Sequence, residues 1–174
     1  MKYGELNLGH IEALVNVIGG MEVVMRLLQG TAKAVIQVTK HVIDCDANPH
    51  VPDGWKVESH RKHGSLEWDL TKIQLYLSPE QQGEKRIEGN KLRKELENQP
   101  VLNANVLDYL LKHPELIPEE WKKQYTFFWG TIYRNSAGNL CVRYLYWGGW
   151  SWRWGYGWLG SDWRVSHPSV VLAS

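Results

Sequence analysis

Lysine, glutamate, glutamine and methionine are missing from everything after Gln124: twelve Lys, thirteen Glu, seven Gln and three Met all lie at or before it. Even usage would place about ten of them beyond that point. A β-rich segment avoids these helix formers, so their absence speaks for strands in the C-terminal part. Cysteine is equally scarce. Cys45 and Cys141 make neither a disulfide framework nor a metal-ligand spacing, and each sits in an apolar, strand-like stretch where a thiol packs as a small hydrophobe, as suits a reducing compartment. An excess of one charge is lacking too: twenty Lys plus Arg face nineteen Asp plus Glu, which argues against nucleic acid or an anionic membrane as the main partner. No apolar run approaches the ~18 residues of a membrane span, and the opening MKYGELNLGH has no apolar core of a signal peptide. The expectation is a soluble, cytoplasmic protein.

What is present in place of these residues is tryptophan. Trp147, Trp150, Trp152, Trp154, Trp158 and Trp163 stand among glycine, serine, arginine, tyrosine, aspartate and histidine. From Trp150 the even positions are Trp150, Trp152, Trp154, Tyr156 and Trp158, and the odd ones Ser151, Arg153, Gly155 and Gly157. In an extended chain a period of two puts the aromatics on one side. The expectation is that the aromatic side is buried and anchors the segment, leaving the other side free to vary.

Upstream, Asn7 can cap a helix carrying Ile11, Leu14, Val15 and Ile18; Gly19-Gly20 interrupts it before Met21, Val24, Met25 and Leu28, and Gly30 ends it. Arg26 is the only base on the second helix, which favours packing over DNA reading. Strand patterns follow in Thr31 to Asp44, around Trp55 to Glu58, and at Ile73 to Leu77, with polar loop from Pro79 to Lys85. Asn90 to Glu97 reads as a short helix, Asn105 as the cap of another running to Pro114, and Pro118 as the start of a helical turn. Tyr125 to Arg134 and Leu140 to Trp147 form a hairpin about the loop Asn135 to Asn139. The fold class expected is α+β: short N-terminal and middle helices with an antiparallel β-rich C-terminal part. Residues 1–30 are a helical segment, and 31–174 are one domain in which 125–174 form the ligand-display region.

Chemistry has few footholds. His41, Asp44, Cys45, Asp46, His50, His60 and His63 are close in sequence, yet His60-x-x-His63 has no second pair and DCDANP lacks the glycine and terminal glutamate of a calcium loop. Neither a phosphate loop nor a nucleophile elbow is present, so no catalytic residue, metal or cofactor is assigned. The tail's mixture of Trp, Tyr, Arg, Ser and Gly is that of antibody-like contact surfaces and points to recognition.

The stretch from Tyr144 to Pro168, YLYWGGWSWRWGYGWLGSDWRVSHP, resembles the variable region of diversity-generating retroelement target proteins. It is also similar to short bacterial proteins with a VRYLYW and WL–DW framework. In such a system template adenines are scrambled. A scrambled asparagine codon yields Gly, Ser, Arg, Tyr, Asp, His, Val or Pro but never Lys, Glu, Gln, Met or Trp, whereas the tryptophan codon contains no adenine and stays fixed. The resemblance implies a C-type-lectin-like or formylglycine-generating-enzyme-like fold that displays a variable surface over residues about 148–169. Its ligand-contacting positions would be Gly148, Gly149, Ser151, Arg153, Gly155, Tyr156, Gly157, Gly160, Ser161, Arg164, Val165, Ser166 and His167, with Tyr156 grouped by parity with the aromatics. No lectin calcium motif is present, which argues against calcium-dependent sugar binding. The function expected is non-enzymatic binding, with a protein ligand. The alternatives are a fixed carbohydrate or cell-wall binding module, in which Asp162, Arg153 and His167 bond hydroxyls, and a metal-dependent enzyme using the His41–His63 region.

Overall fold

A computed structural model describes residues 7–31 and 40–173. The chain divides into two compact units, Met1–Thr39 and Lys40–Ser174. The boundary therefore falls inside the stretch expected to open the second domain. The strand pattern through residues 32–39 lies outside the described residues.

In the first unit α1 (Leu8–Val17) starts at Asn7, whose side chain accepts the His10 N–H, and α2 (Met21–Leu28) follows. Gly19 and Gly20 take φ of 103° and 89°, a left-handed backbone open at low cost only to glycine, so the two-residue break is set by the sequence. Neither helix buries a residue, and Leu8, Ile11, Leu14, Met21, Met25 and Leu28 are exposed.

The second unit is α+β. Its strands are β1 (Val42–Asp44), β2 (Lys56–His60), β3 (Ser65–Glu67), β4 (Ile73–Tyr76), β5 (Ile87–Glu88), β6 (Thr126–Arg134), β7 (Leu140–Trp147), β8 (Trp152–Trp158), β9 (Asp162–Trp163) and β10 (Ser169–Leu172). Its helices are α3 (Gly89–Glu95) and α4 (Ala104–Lys112). The main sheet runs β4-β10-β6-β7-β8, with β2 beside the far end of β6; β1 pairs with β3 and β5 with β9. Only β10 and β6 are parallel; every other pair is antiparallel.

β6 is central, and everything from Thr126 to Tyr133 is buried. This explains the unbroken apolar run TFFW: a strand covered on both faces has no polar side to alternate with. Phe128 points into one core with Val106, Leu107 and Leu110 of α4, Leu145 and Trp121. Phe127 and Trp129 point into the other with Leu92 of α3, Val142, Leu159 and Trp163. The hairpin loop Asn135–Asn139 forms as expected, the Asn135 side chain accepting the Ala137 and Asn139 N–H groups while Gly138 supplies a φ of 82°. Two expectations are corrected. α4 is capped by Asn103, whose side chain accepts the Asn105 N–H, while Asn105 donates to the carbonyls of Asp44 and Ala47. The Pro79–Lys85 stretch begins with a 3-10 turn closed by a Ser78–Gln81 capping box, and Gln81 is fully buried. Among the described residues no helix is long and apolar enough to cross a membrane.

Candidate functional site

β7 and β8 pair in register from Cys141 opposite Trp158 to Trp147 opposite Trp152. A turn joins them in which the Gly148 N–H donates to the Ser151 carbonyl at 2.9 Å. The period of two holds: Trp152, Trp154, Tyr156 and Trp158 share one side of β8, Arg153, Gly155 and Gly157 the other. Its consequence is the reverse of the expected one. Trp150 sits on the turn at 90% exposure, and Trp158, Tyr156 and Trp154 are 50%, 43% and 36% exposed. β8 is the last strand of the sheet, so the core that packs against the aromatic side reaches Leu145 and Trp152 without closing over the rest. A repeat of two fixes which residues share a face; whether anything covers that face is decided elsewhere in the chain.

On that open side Trp154 lies against the buried Arg143, 4.4 Å from guanidinium to ring, and Arg143 in turn grips Asp108 through two bonds of 2.7 and 3.1 Å. Tyr156 packs edge-on against Trp55 at 4.9 Å, which places it with the aromatics, as its parity indicated.

The glycine side is the constrained one. A Cβ on Gly155 would come within 2.6 Å of the Tyr144 phenol, and one on Gly157 within 2.8 Å of Trp163 and 3.2 Å of Phe127. Gly155 and Gly157 are therefore not free to vary, contrary to expectation, because aromatic rings from β6, β7 and β9 lie directly on their backbone. Trp163, 2% exposed, is the buried indole of the tail. It is wedged between Gly157 and Gly89, and β9 is fixed there by pairing with β5 (Ile87 opposite Trp163, Glu88 opposite Asp162).

Around this floor opens a pocket of about 410 Å³ lined by Tyr125, Phe127, Tyr144, Gly157, Ser161, Asp162, Trp163 and His167, with Tyr156 and Trp158 at its edge. Its volume lies in the range that takes small ligands or a partner's side chain. The rings meet at steep angles: Tyr125 and Tyr144 at 82° and 5.3 Å, Phe127 and Trp163 at 66° and 4.2 Å, Trp163 and His167 at 77° and 5.7 Å. Edge-to-face packing of this kind holds each ring against its neighbours. His167 Nδ1 accepts the Arg164 N–H at 3.3 Å, so Nε2 carries the proton. Burial, then the Arg164 charge, lowers the pKa of this imidazole from its ordinary value and favours its neutral form. The turn that carries it is tied down by the buried Gln81 amide, which donates to the carbonyls of Arg164 and His167 at 3.2 and 3.0 Å.

Of the positions expected to contact ligand, Gly149, Ser151, Arg153, Tyr156, Gly160, Ser161, Arg164 and Val165 are exposed. Gly148, Gly155, Gly157, Ser166 and His167 are half-buried. The pocket gathers Tyr156, Gly157, Ser161 and His167 from this set and leaves Ser151 and Arg153 outside. Sequence reasoning missed Tyr125, just ahead of β6, Phe127 of β6 and Tyr144 of β7, which carry no local mark of a site. The capping box S-P-E-Q at Ser78 to Gln81 was a readable signal for the brace beneath His167.

The His41–His63 region is occupied structurally. The Ala104 N–H donates to Thr131 Oγ1, the Thr131 hydroxyl to His60 Nδ1, and His60 Nε2–H to the Cys45 carbonyl. His63 donates to the Val101 carbonyl. Among the described residues no three His, Cys, Asp or Glu side chains converge as a metal site would require. Burial pushes the thiols of Cys45 and Cys141 up to about 11. No protein-family model, curated protein or solved structure matches this chain.

Proposed function

We propose that this is a non-enzymatic binding protein that takes a protein ligand on the surface formed by residues 148–167. The observation that carries the reading is that every candidate position in this stretch is exposed or half-buried, and that Tyr156, Gly157, Ser161 and His167 among them line an aromatic pocket. The retroelement resemblance, and with it a C-type-lectin-like display fold, supports exchange at Ser151, Arg153, Gly160, Ser161, Arg164 and Val165, all of which are exposed. The pocket accepts a side chain of the ligand while these neighbours select it.

The test has two arms. A reverse-transcriptase gene with a nearby repeat differing from this one only at adenines supports diversification, and its absence from a complete genome removes it. Selection of a displayed protein library on the immobilised chain, repeated with Arg153→Glu and Arg164→Glu, tests recognition. Binders that ignore both substitutions sink the proposal.

The pocket favours one second reading, a saccharide stacked on Tyr125 or Tyr144 with its hydroxyls on Ser161, Asp162 and His167. A glycan array read with wild type and with Asp162→Ala separates the two: glycan signal lost in the variant replaces the protein ligand.

A further inference from the structure

β8 has one unused edge. The bonds from Gly148 N–H to Ser151 and from Leu159 N–H to Leu140 fix the parity of the β7–β8 ladder, so Arg153, Gly155 and Gly157 bond towards β7. Trp152, Trp154, Tyr156 and Trp158 turn their N–H and C=O groups away from it. Of these groups only the Trp158 carbonyl has a partner among the described residues, the Ser161 N–H at 3.0 Å. Sheet edges are usually blunted by lysine, proline, a bulge or an inward charge. β8, WRWGYGW, has no lysine, proline or bulge, carries a single charge at Arg153, and is half-exposed aromatic along its length.

The strand is also nearly a palindrome about Gly155. We propose that β8 is the seam of a symmetric homodimer in which two copies of this chain pair antiparallel, edge to edge, centred on Gly155. That centre engages all four outward-bonding residues at once: Trp154 of one copy meets Tyr156 of the other, and Trp152 meets Trp158, whereas a centre on Trp154 or Tyr156 leaves one end of the strand unpaired. Both kinds of pair are aromatic, the combination that stabilises antiparallel strands. Arg153, the only charge on β8, meets Gly157 of the other copy, beside whose pocket stands Asp162, so no like charges are opposed. A two-fold contact needs such self-complementarity, which an unrelated peptide has no reason to match. The pairing joins the main sheets of two copies and leaves both pockets on the opposite side from the aromatic row. It is independent of what the pocket binds.

Sedimentation velocity of the full chain from low to high micromolar concentration tests the state, and amide hydrogen exchange over the same range tests the seam. The expected result is a monomer–dimer equilibrium, with the Trp154 and Tyr156 amides slowing about tenfold or more as dimer forms. The amides of Arg153, Gly155 and Gly157 are slow throughout, because they are bonded within each copy. Trp158→Lys, which restores an edge charge, gives monomer, and Trp150→Ala, off the strand, leaves the dimer intact. A chain monomeric at every concentration, a species larger than dimer, or a dimer without alternate-residue protection overturns the proposal. Should Trp158→Lys fail to fold by circular dichroism, the exchange pattern of the wild type decides.

Discussion

Gly157→Ala adds one methyl group at the point where the tail is most tightly held. The new carbon would stand 2.8 and 2.9 Å from two ring atoms of Trp163 and 3.2 Å from Phe127, where carbon atoms normally rest about 3.5–4.0 Å apart. Trp163 cannot withdraw. It is 2% exposed, packed on Phe127 at 4.2 Å and on Trp129 at 4.8 Å, with Gly89 behind its indole nitrogen. Overpacking a filled core costs about 1–3 kcal/mol, and replacing a strand glycine by alanine returns about 0.5–1 kcal/mol of backbone entropy, so the net loss centres on about 1 kcal/mol. With a urea slope of about 2 kcal/mol per molar, the unfolding midpoint falls by about 0.5 M. Gly160→Ala is the matched control: nothing lies within 4 Å of its added carbon and its φ is not positive, so it leaves stability unchanged or raises it. Urea titration followed by tryptophan emission reads both variants. A Gly157→Ala protein as stable as wild type refutes the view that the rings of β6 and β9 fix this side of β8.

Three further outcomes follow from buried polar groups. Asp108→Ala leaves the guanidinium of Arg143, 1% exposed, without its partner and costs about 3–5 kcal/mol, read as a fall in thermal midpoint; Asp108→Leu with Arg143→Met recovers most of it, and an undiminished loss in the double variant would show that the pair is not the cause. His167 has a folded pKa below its unfolded value of 6.5, so the unfolded chain takes up its proton first as pH falls. Stability is therefore lost progressively below about pH 6.5, and His167→Gln flattens that part of the pH–stability profile. Cys45 and Cys141 are fully buried, with thiols raised to about 11, so Ellman's reagent at pH 8 reacts with neither until urea unfolds the chain; prompt reaction of either places it at the surface.

Signals confined to a few neighbouring residues were legible in the sequence. The Asn7 cap and the Asn135–Asn139 hairpin loop depend on a side chain satisfying backbone groups close by, the Gly19-Gly20 break on a positive φ that glycine adopts at low cost, and each forms where the letters place it. Asn103 and Asn105 show the limit. Both are good cap residues two positions apart, and what separates them is the distant chain: Asn105 has the carbonyls of Asp44 and Ala47 to bond, which leaves the cap to Asn103. The pocket was illegible for the same reason. Tyr125, Tyr144 and His167 become neighbours only because β10 returns beside β6 and carries the turn at Ser166 back to the Tyr125 N–H. The coverage of the aromatic side of β8 depended on how far α4 and its neighbours reach, which no period in the tail encodes.

If the tail is diversified as proposed, codon chemistry and packing impose separate filters on it, and they do not select the same residues. Scrambled asparagine codons can produce glycine at 155 and 157 as readily as at 160, so composition alone treats the three alike. Packing does not: added carbons at Gly155 and Gly157 strike Tyr144 and Trp163, while one at Gly160 meets nothing. Tyr156 passes the codon filter too, yet its ring is engaged with Trp55. Exchange without loss of the fold is thus confined to Ser151 and Arg153 at one end of β8 and to Gly160, Ser161, Arg164 and Val165 beyond the other. Sister copies of the gene should differ at Ser151, Arg153, Ser161, Arg164 and Val165 while keeping glycine at 155 and 157. Large side chains at those two glycines in folded copies would mean that Tyr144 and Trp163 yield, and the pocket would then be a product of this one sequence and not of the scaffold.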